Sequence, residues 1–183
     1  MEHRTAEEFT AALDEIRQAP AAVGTVELIV RRPAEDEREV LDECMLDLEV
    51  GLVGDAWLAR GSKAMPDGSA NPDAQLTLMN ARAAEVITGT RDRWPLAGDQ
   101  LYVDLDLSVE NLPAGTQVAV GEAVVEVTPE PHTGCAKFSA RFGTEALKFV
   151  NKSPGRELRL RGVNARVVQP GTVRVGDAIN KLA

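Results

Sequence analysis

A regular alternation of apolar and polar residues over positions 101–109 constrains the fold more than any other feature of this sequence. Leucines and valines occupy the odd positions, while tyrosine, two aspartates and serine occupy the even ones. A period of two is typical of an extended strand with one buried face, whereas an α-helix repeats every 3.6 residues. The chain is therefore expected to build its core on a β-sheet.

Other short apolar stretches, separated by glycine-rich turns, also predict strands. They lie at residues 24–32, 75–79, 117–120, 123–128, 157–160, 162–168 and 171–179. Helical spacing predicts helices at 5–19, 81–87 and 134–150, the last interrupted at Gly143. This balance indicates an α+β fold that is mainly β: a β-barrel-like domain with a few short helices. We expect residues 1–22 to form a helical extension and residues 23–183 to form the barrel domain.

Charge and hydropathy exclude some classes of partner. The formal net charge of −9 disfavours non-specific binding of nucleic acid, which requires a basic face. No apolar run approaches the ~20 residues that span a bilayer, so we expect a cytoplasmic protein without a membrane partner.

The charge is unevenly distributed along the chain. Residues 136–183 hold ten Lys and Arg against three Asp and Glu, a net charge of +7. Two interpretations stay open: this basic segment pairs with the acidic remainder inside the fold, or it faces an anionic ligand.

The two cysteines occupy different sequence contexts. Cys44 shares its parity with the apolar residues of a predicted strand, which indicates a buried side chain. Cys135 lies between a strand and a predicted helix, where the helix N-terminus, His132 and Lys137 would favour a reactive thiolate. His132 is then a candidate catalytic partner that donates or accepts a proton beside the thiol. The alternatives are an inert capping cysteine and a surface histidine.

Residues 51–74 are rich in Gly, Pro, Asp and Ser, and they predict a long loop. This loop begins with the motif GLVGD, which ends at Asp55. A carboxylate at this point is either a turn residue or part of a binding site.

Several motifs in a fixed order carry a resemblance to a known family. They are GLVGD at 51–55, QLTLMN at 75–80, AGDQLYVDLDLSVENLPAGTQVAVGEAVVEVT at 97–128, PHTGCAKF at 131–138, FGTEALKFVNK at 142–152 and LRLRGVNARVVQPGTVRVGDAI at 158–179. Together they resemble MOSC domain proteins, a family named after the C-terminal domain of molybdenum-cofactor sulfurases. The resemblance covers residues 24–180 and indicates a stand-alone MOSC protein.

The resemblance implies a β-barrel-like fold with one functional cysteine, here Cys135. It implies either binding of a molybdenum-pterin cofactor, with the thiolate as metal ligand, or carriage of sulfur as a persulfide. Some relatives reduce N-hydroxylated compounds, and that reaction would here need a separate electron-donor protein. Sulfur carriage would need a sulfur-donor protein. The sequence has no pyridoxal-phosphate-dependent domain, and His132-Thr133-Gly134 replace the arginine and proline that precede the cysteine in many relatives. A non-catalytic binding module with an inert cysteine is the remaining alternative.

The cofactor that the resemblance implies carries a phosphate, so its binding would need counter-charges. Arg159, Arg161 and Arg166 are spaced along the predicted strand pair 157–160 and 162–168, and Arg159 and Arg161 share a face by parity. An arginine fork suits phosphate. We therefore expect Arg159 and Arg161, with Lys137 and Asp55, to bind the cofactor. Solvent-facing pairing with Asp and Glu is the alternative for each arginine.

Overall fold

The computed structural model describes residues 3–183, and a closed β-barrel is its central element. The strands are β1 (Val23–Arg31), β2 (Glu39–Leu41), β3 (Glu43–Asp47), β4 (Gly51–Leu52), β5 (Leu76–Asn80), β6 (Leu101–Asp104), β7 (Gln117–Val120), β8 (Ala123–Val127), β9 (Val163–Gln169), β10 (Gly171–Arg174) and β11 (Ala178–Lys181). Seven of them close a ring in the order β11-β7-β8-β9-β5-β6-β1, because β1 pairs with both β6 and β11. Strand β2 extends the sheet beside β1, while β10, β3 and β4 form a separate small sheet. The predicted β-barrel-like fold is confirmed.

Closure of the barrel depends on a close approach of β1 to β6. A Cβ atom at Gly24 would lie 2.0 Å from the carbonyl oxygen of Asp104, so only glycine fits there. The barrel interior is filled by an apolar cluster that includes Val26, Leu46 and Leu78. Burial of this cluster removes apolar surface from water and stabilises the closed ring.

The alternating segment contributes to this core over a shorter strand than expected. Strand β6 covers only Leu101–Asp104, although Leu105 and Leu107 continue to point into the core. Val109 is exposed, and Tyr102 is fully buried on the opposite face of β6. Helices cover that outer face. Tyr102 therefore has no contact with solvent, although it occupies a polar position of the alternation.

Six α-helices and two 3₁₀ helices lie outside the barrel. They are α1 (Ala6–Ala11), α2 (Leu13–Arg17), α3 (Trp57–Arg60), α4 (Ala81–Thr88), α5 (Ala136–Phe142), α6 (Thr144–Asn151) and the 3₁₀ helices Pro72–Ala74 and Arg91–Ala97. Helix α4 and the longer 3₁₀ helix connect the parallel strands β5 and β6, as a crossover connection must. No helix within residues 3–183 has the length and apolar character needed to span a bilayer.

The N-terminal helices pack on a second apolar cluster, outside the barrel. Helix α1 begins with a complete capping box between Thr5 and Glu8. Phe9 is buried and stacks on Phe149 of α6, with ring centroids 4.7 Å apart. Residues 6–11 and 13–17 are helical, within the range predicted for a helix. The first two residues of the predicted extension lie outside the described part of the chain.

Four details of the predicted secondary structure are wrong. Residues 157–160 form turns, in which Leu160 N donates to Gly155 O and Gly162 N donates to Arg159 O. These local bonds use the backbone groups that a neighbouring strand would need. The predicted loop 51–74 holds β4, α3 and a 3₁₀ helix, and the predicted helix 5–19 divides into α1 and α2 at Ala12.

The fourth error concerns the predicted strand around Cys44. Cys44 and Leu46 are buried as expected, whereas Val40 and Leu48 are exposed although they share that parity. Residues 39–41 form a separate strand, β2, and β3 ends at Asp47. A single period of two therefore does not extend across 40–50.

We predict that Phe9→Ala destabilises the whole domain, because the change removes a buried ring that stacks on α6. The free energy of unfolding should fall by about 3 kcal/mol. Urea denaturation followed by circular dichroism measures this change. The control Leu58→Ala removes a half-exposed side chain from α3 and should shift stability by less than about 0.5 kcal/mol. Equal stability of the Phe9 variant and the wild type would mean that α1 does not share the domain core.

Candidate functional site

A buried carboxylate, Asp99, is the centre of the candidate site. Its Oδ1 lies 2.8 Å from Nε2 of His132, and its Oδ2 lies 2.5 Å from Nη1 of Arg161. The Asp99 side chain is completely buried. Burial alone would raise the pKa of Asp99, but the charges and hydrogen bonds of Arg161 and His132 outweigh it and hold this pKa below its usual value. Asp99 is therefore an ionised carboxylate at neutral pH.

Three separate segments bring these side chains together. Asp99 follows the 3₁₀ helix Arg91–Ala97, His132 lies between β8 and α5, and Arg161 ends the turns before β9. Strands β6 and β9 flank β5, and Leu101 of β6 and Val163 of β9 both lie opposite Leu78. Asp99 shortly precedes β6 and Arg161 shortly precedes β9, so they lie on either side of β5.

Gly162 permits the close packing at this point. Its φ is +108°, and a Cβ atom there would lie 2.4 Å from Leu78 O and 3.2 Å from Cδ2 of His132. A larger residue would displace the turn from β5 and press on the imidazole ring.

The environment of His132 determines which of its nitrogens carries the proton. Nε2 faces the ionised Asp99 carboxylate, so Nε2 donates its proton. Burial lowers the pKa of His132 and the charge of Arg161 lowers it further, against the smaller opposing effect of Asp99. The neutral ring is therefore favoured, with Nδ1 as a hydrogen-bond acceptor.

A pocket of about 240 Å³ opens beside this triad. Its charged and imidazole lining groups are Glu130, His132, Arg156, Arg159 and Arg161. Nε of Arg161 is the one buried side-chain nitrogen or oxygen in residues 3–183 that has no hydrogen-bond partner. Three arginines and one carboxylate line the pocket, while Arg161 also pairs with Asp99 and Arg156 with Glu157. Guanidinium groups are strong hydrogen-bond donors, so an anion is a ligand that this lining suits.

Cys135 lies next to this pocket along the chain, but it does not line it. It is exposed at the N-terminus of α5, and its side chain makes no capping hydrogen bond. Asn151 holds the preceding residue in place: it accepts from Gly134 N at 2.9 Å and donates to Gly134 O at 3.0 Å. Two residues, Thr133 and Gly134, lie between His132 and Cys135, so the Cα atoms of His132 and Cys135 are at most about 11 Å apart.

The remaining predicted site residues lie elsewhere, in ion pairs. Lys137 Nζ lies 2.8 Å from Glu35 and 3.2 Å from Asp36, and these hydrogen bonds raise the pKa of Lys137. Asp55 is buried and accepts two hydrogen bonds of 2.9 Å from Arg32. The structure thus brings His132, Arg159 and Arg161 into one pocket and leaves Lys137 and Asp55 outside its lining.

A second set of arginines supports the segment that leads to Asp99. Four consecutive carbonyls at the end of the 3₁₀ helix each accept a hydrogen bond from a different arginine. Pro95 O accepts from Arg38, Leu96 O from Arg141, Ala97 O from Arg161 and Gly98 O from Arg32. Helix C-terminal carbonyls lack backbone donors and carry partial negative charge, so guanidinium groups suit them.

Pairing inside the fold, the first interpretation of the basic segment 136–183, is confirmed for several of its charges. Lys137 and Arg141 pair with Asp36, and Arg166 pairs with Glu126. Arg156, Arg159 and Arg161 line the pocket, which keeps the second interpretation, an anionic ligand, as a prediction.

Sequence reasoning missed Asp99, Arg156, Glu130 and Asn151. The only signal for Asp99 was its place in AGDQ, at the start of the long motif 97–128. An aspartate that follows a helix-ending glycine usually belongs to a turn, so its burial was not apparent.

The match to a family model decides the family. The model of the MOSC domain matches residues 68–180. The chain belongs to the MOSC domain family. Members of this family are associated with binding of molybdenum cofactor.

Solved structures support the same fold. The crystal structure of YuaD from Bacillus subtilis has a TM-score of 0.61 and 16% sequence identity, covering 86% of this chain and 94% of that one. YiiM from Escherichia coli has a TM-score of 0.55 at 19% identity and covers 87% and 70% of the two chains. YiiM from Geobacillus stearothermophilus has a TM-score of 0.52 at 14% identity and covers 89% and 74%. No curated protein matches the sequence.

The two thiols of this MOSC protein should differ in reactivity. Cys135 is exposed, whereas burial, with a smaller effect of Glu43, raises the pKa of Cys44 to about 12. We expect iodoacetamide to add one group, at Cys135, because only the thiolate reacts. Intact-mass and peptide analysis of the native protein measures this. Cys135→Ser should add none until urea exposes Cys44; rapid labelling of Cys44 in the folded protein would contradict the assignment.

Asp55→Asn should destabilise the protein strongly. The change leaves the buried Arg32 guanidinium without its carboxylate, which costs about 3 kcal/mol. Urea denaturation measures the loss. The matched control Asp14→Asn breaks the exposed pair with Arg17 and should leave the unfolding midpoint nearly unchanged. Similar midpoints for the two variants would show that the Arg32 pair is not a structural requirement.

Proposed function

We propose that this MOSC protein binds the molybdenum-pterin cofactor, with the cofactor phosphate in the pocket and the metal at the thiolate of Cys135. The three arginines that line one pocket, Arg156, Arg159 and Arg161, carry the proposal. Their N–H groups would donate to the oxygens of an anionic ligand.

The residues present fit the group that the family implies. Arg156, Arg159 and Arg161 would hold the phosphate, since three guanidinium groups outweigh the single carboxylate of Glu130. Cys135 would be the metal ligand, because thiolate sulfur suits soft metal centres and this thiol is exposed. When bound, the cofactor would supply a redox-active metal.

The chain's own part is to hold these groups in place before a ligand arrives. The buried Asp99 carboxylate orients both Arg161 and the imidazole of His132. Asn151 fixes the loop that presents Cys135 through its two hydrogen bonds with Gly134. A pre-ordered site loses less entropy on binding.

Sulfur carriage is the second candidate, and the exposure of Cys135 favours it. The Cys135 thiolate would attack the outer sulfur of a donor persulfide, form a persulfide itself and release the donor thiolate. An exposed thiol on a short loop is accessible to such a donor protein. Mass spectrometry should then find one added sulfur atom on Cys135 after incubation with a desulfurase and its substrate, and none on Cys44.

Under either candidate we propose a cytoplasmic protein. Its partners would be a small anionic cofactor and a protein that donates sulfur or electrons. Reduction of N-hydroxylated compounds would use the same pocket and the same thiol, with electrons from that second protein.

We predict that Cys135→Ser and Arg161→Lys each lower cofactor content at least about tenfold. The lysine keeps the positive charge beside Asp99 but removes the Nε donor. Molybdenum is measured by mass spectrometry and pterin by fluorescence, in protein purified from a host that makes the cofactor.

Two matched controls accompany these variants. Arg166→Lys alters an arginine that pairs with Glu126 and does not line the pocket, and Cys44→Ala removes the buried thiol. Both should keep the wild-type content of metal and pterin per folded molecule. Equal content in Cys135→Ser and the wild type would overturn the proposed metal ligand.

A further inference from the structure

The orientation of His132 places a hydrogen-bond acceptor in the wall of a pocket that three arginines also line. The Cδ2 and Nε2 side of the ring faces Gly162 and Asp99, so Nδ1 lies on the opposite side. His132 lines the pocket, and Nδ1 has no hydrogen-bond partner among the residues that the structure describes.

The proton on the ring is assigned by the partner of Nε2. Asp99 is ionised and accepts from Arg161 as well, so it can only accept from His132. Nδ1 therefore presents a lone pair. The opposite edge of the ring, Cδ2 and Nε2, is held in place by Gly162 and Asp99. Arg161, Arg159 and Arg156 present only N–H donors to the same space.

Glu130 adds a second acceptor to the lining. Its carboxylate bears only lone pairs when ionised. A ligand in this pocket thus meets three guanidinium groups together with two groups that need a donor. An anion without a proton would place its oxygens against these lone pairs, whereas an anion that keeps a proton can donate it.

We infer that the pocket selects a protonated phosphate group over sulfate, with His132 as the specificity-determining residue. The ligand class is a phosphate monoester or hydrogen phosphate whose P–OH donates to Nδ1 of His132 while its other oxygens accept from the arginines. This inference rests on the proposed function and deepens it, because it names the ionic form of the group that the pocket takes.

Isothermal titration of the full-length protein tests the selectivity. The protein is purified from a host that does not make the cofactor and is titrated at about pH 6 with inorganic phosphate, methyl phosphate and sulfate at equal ionic strength. Phosphate and methyl phosphate should bind at least about tenfold more tightly than sulfate, although sulfate carries more charge. Tighter binding of methyl phosphate than of inorganic phosphate indicates an organic monoester as the ligand, and the reverse indicates free phosphate. Equal or tighter binding of sulfate, or no binding of any anion, overturns the inference.

Two variants separate selectivity from affinity. His132→Gln should keep phosphate binding within about fivefold, because the arginines remain, but should reduce the preference over sulfate below about threefold. Glu130→Gln should strengthen sulfate binding more than phosphate binding. The control Glu126→Gln alters a carboxylate of β8 that pairs with Arg166, and it should change neither. An unchanged preference in His132→Gln overturns the role of His132, and its unfolding midpoint shows whether the variant is folded.

Nitrogen-15 NMR tests the assigned proton directly. The chain contains only two histidines, so His132→Gln identifies the resonances of His132. In the free protein Nε2 should be protonated and Nδ1 unprotonated, and added phosphate should shift Nδ1 more than sulfate does. A proton on Nδ1 would overturn the inference.

The metal and pterin analysis of the wild type keeps the two proposals distinguishable. Phosphate selectivity without cofactor would reject the proposed function and leave the inference intact. Cofactor without phosphate selectivity would reject the inference alone.

Discussion

The buried, ionised carboxylate of Asp99 is the group on which the candidate site depends. A buried charge is tolerated only when other groups compensate it, and here Arg161 and His132 do so at 2.5 and 2.8 Å. These contacts join the end of a 3₁₀ helix, the loop after β8 and the turns before β9. The same contacts orient the arginine and the imidazole that line the pocket. The pairing of the buried Asp99 charge thus positions the side chains of Arg161 and His132 in the candidate site.

The arginines of this protein serve two purposes that composition alone does not distinguish. Four of them bind the carbonyls of residues 95–98, and Arg161 belongs both to this group and to the pocket. Most of the others near the surface pair with Asp or Glu in ion pairs of small energetic value. The proposed anion site therefore lies where Arg156 and Arg159 join an arginine already held by the fold. Its charge is local, and the chain as a whole remains acidic.

Particular residues show how far sequence reasoning reached. The strands at 117–120 and 123–128 with a turn between them, and the break at Gly143, were predicted, because glycine-rich turns and helix ends leave local signals. Arg159 and Arg161 were expected to lie together on a strand; they do meet in the pocket, but from a turn in which Arg159 has a φ of +50°. Backbone hydrogen bonds close that turn, from Leu160 N to Gly155 O and from Gly162 N to Arg159 O. Parity along the chain does not reveal such bonds.

By itself the sequence determined the strand-rich class, the membership of the MOSC family and the different surroundings of Cys44 and Cys135. Those properties follow from local periodicity and from motif order, both of which can be read along the chain. Only the tertiary structure decided that Asp99 is buried, that Asp55 and Lys137 are engaged in ion pairs, and that Arg161 has a donor without a partner. Burial and pairing depend on residues up to a hundred positions apart, and they exist only once the barrel has closed and the helices have packed against it.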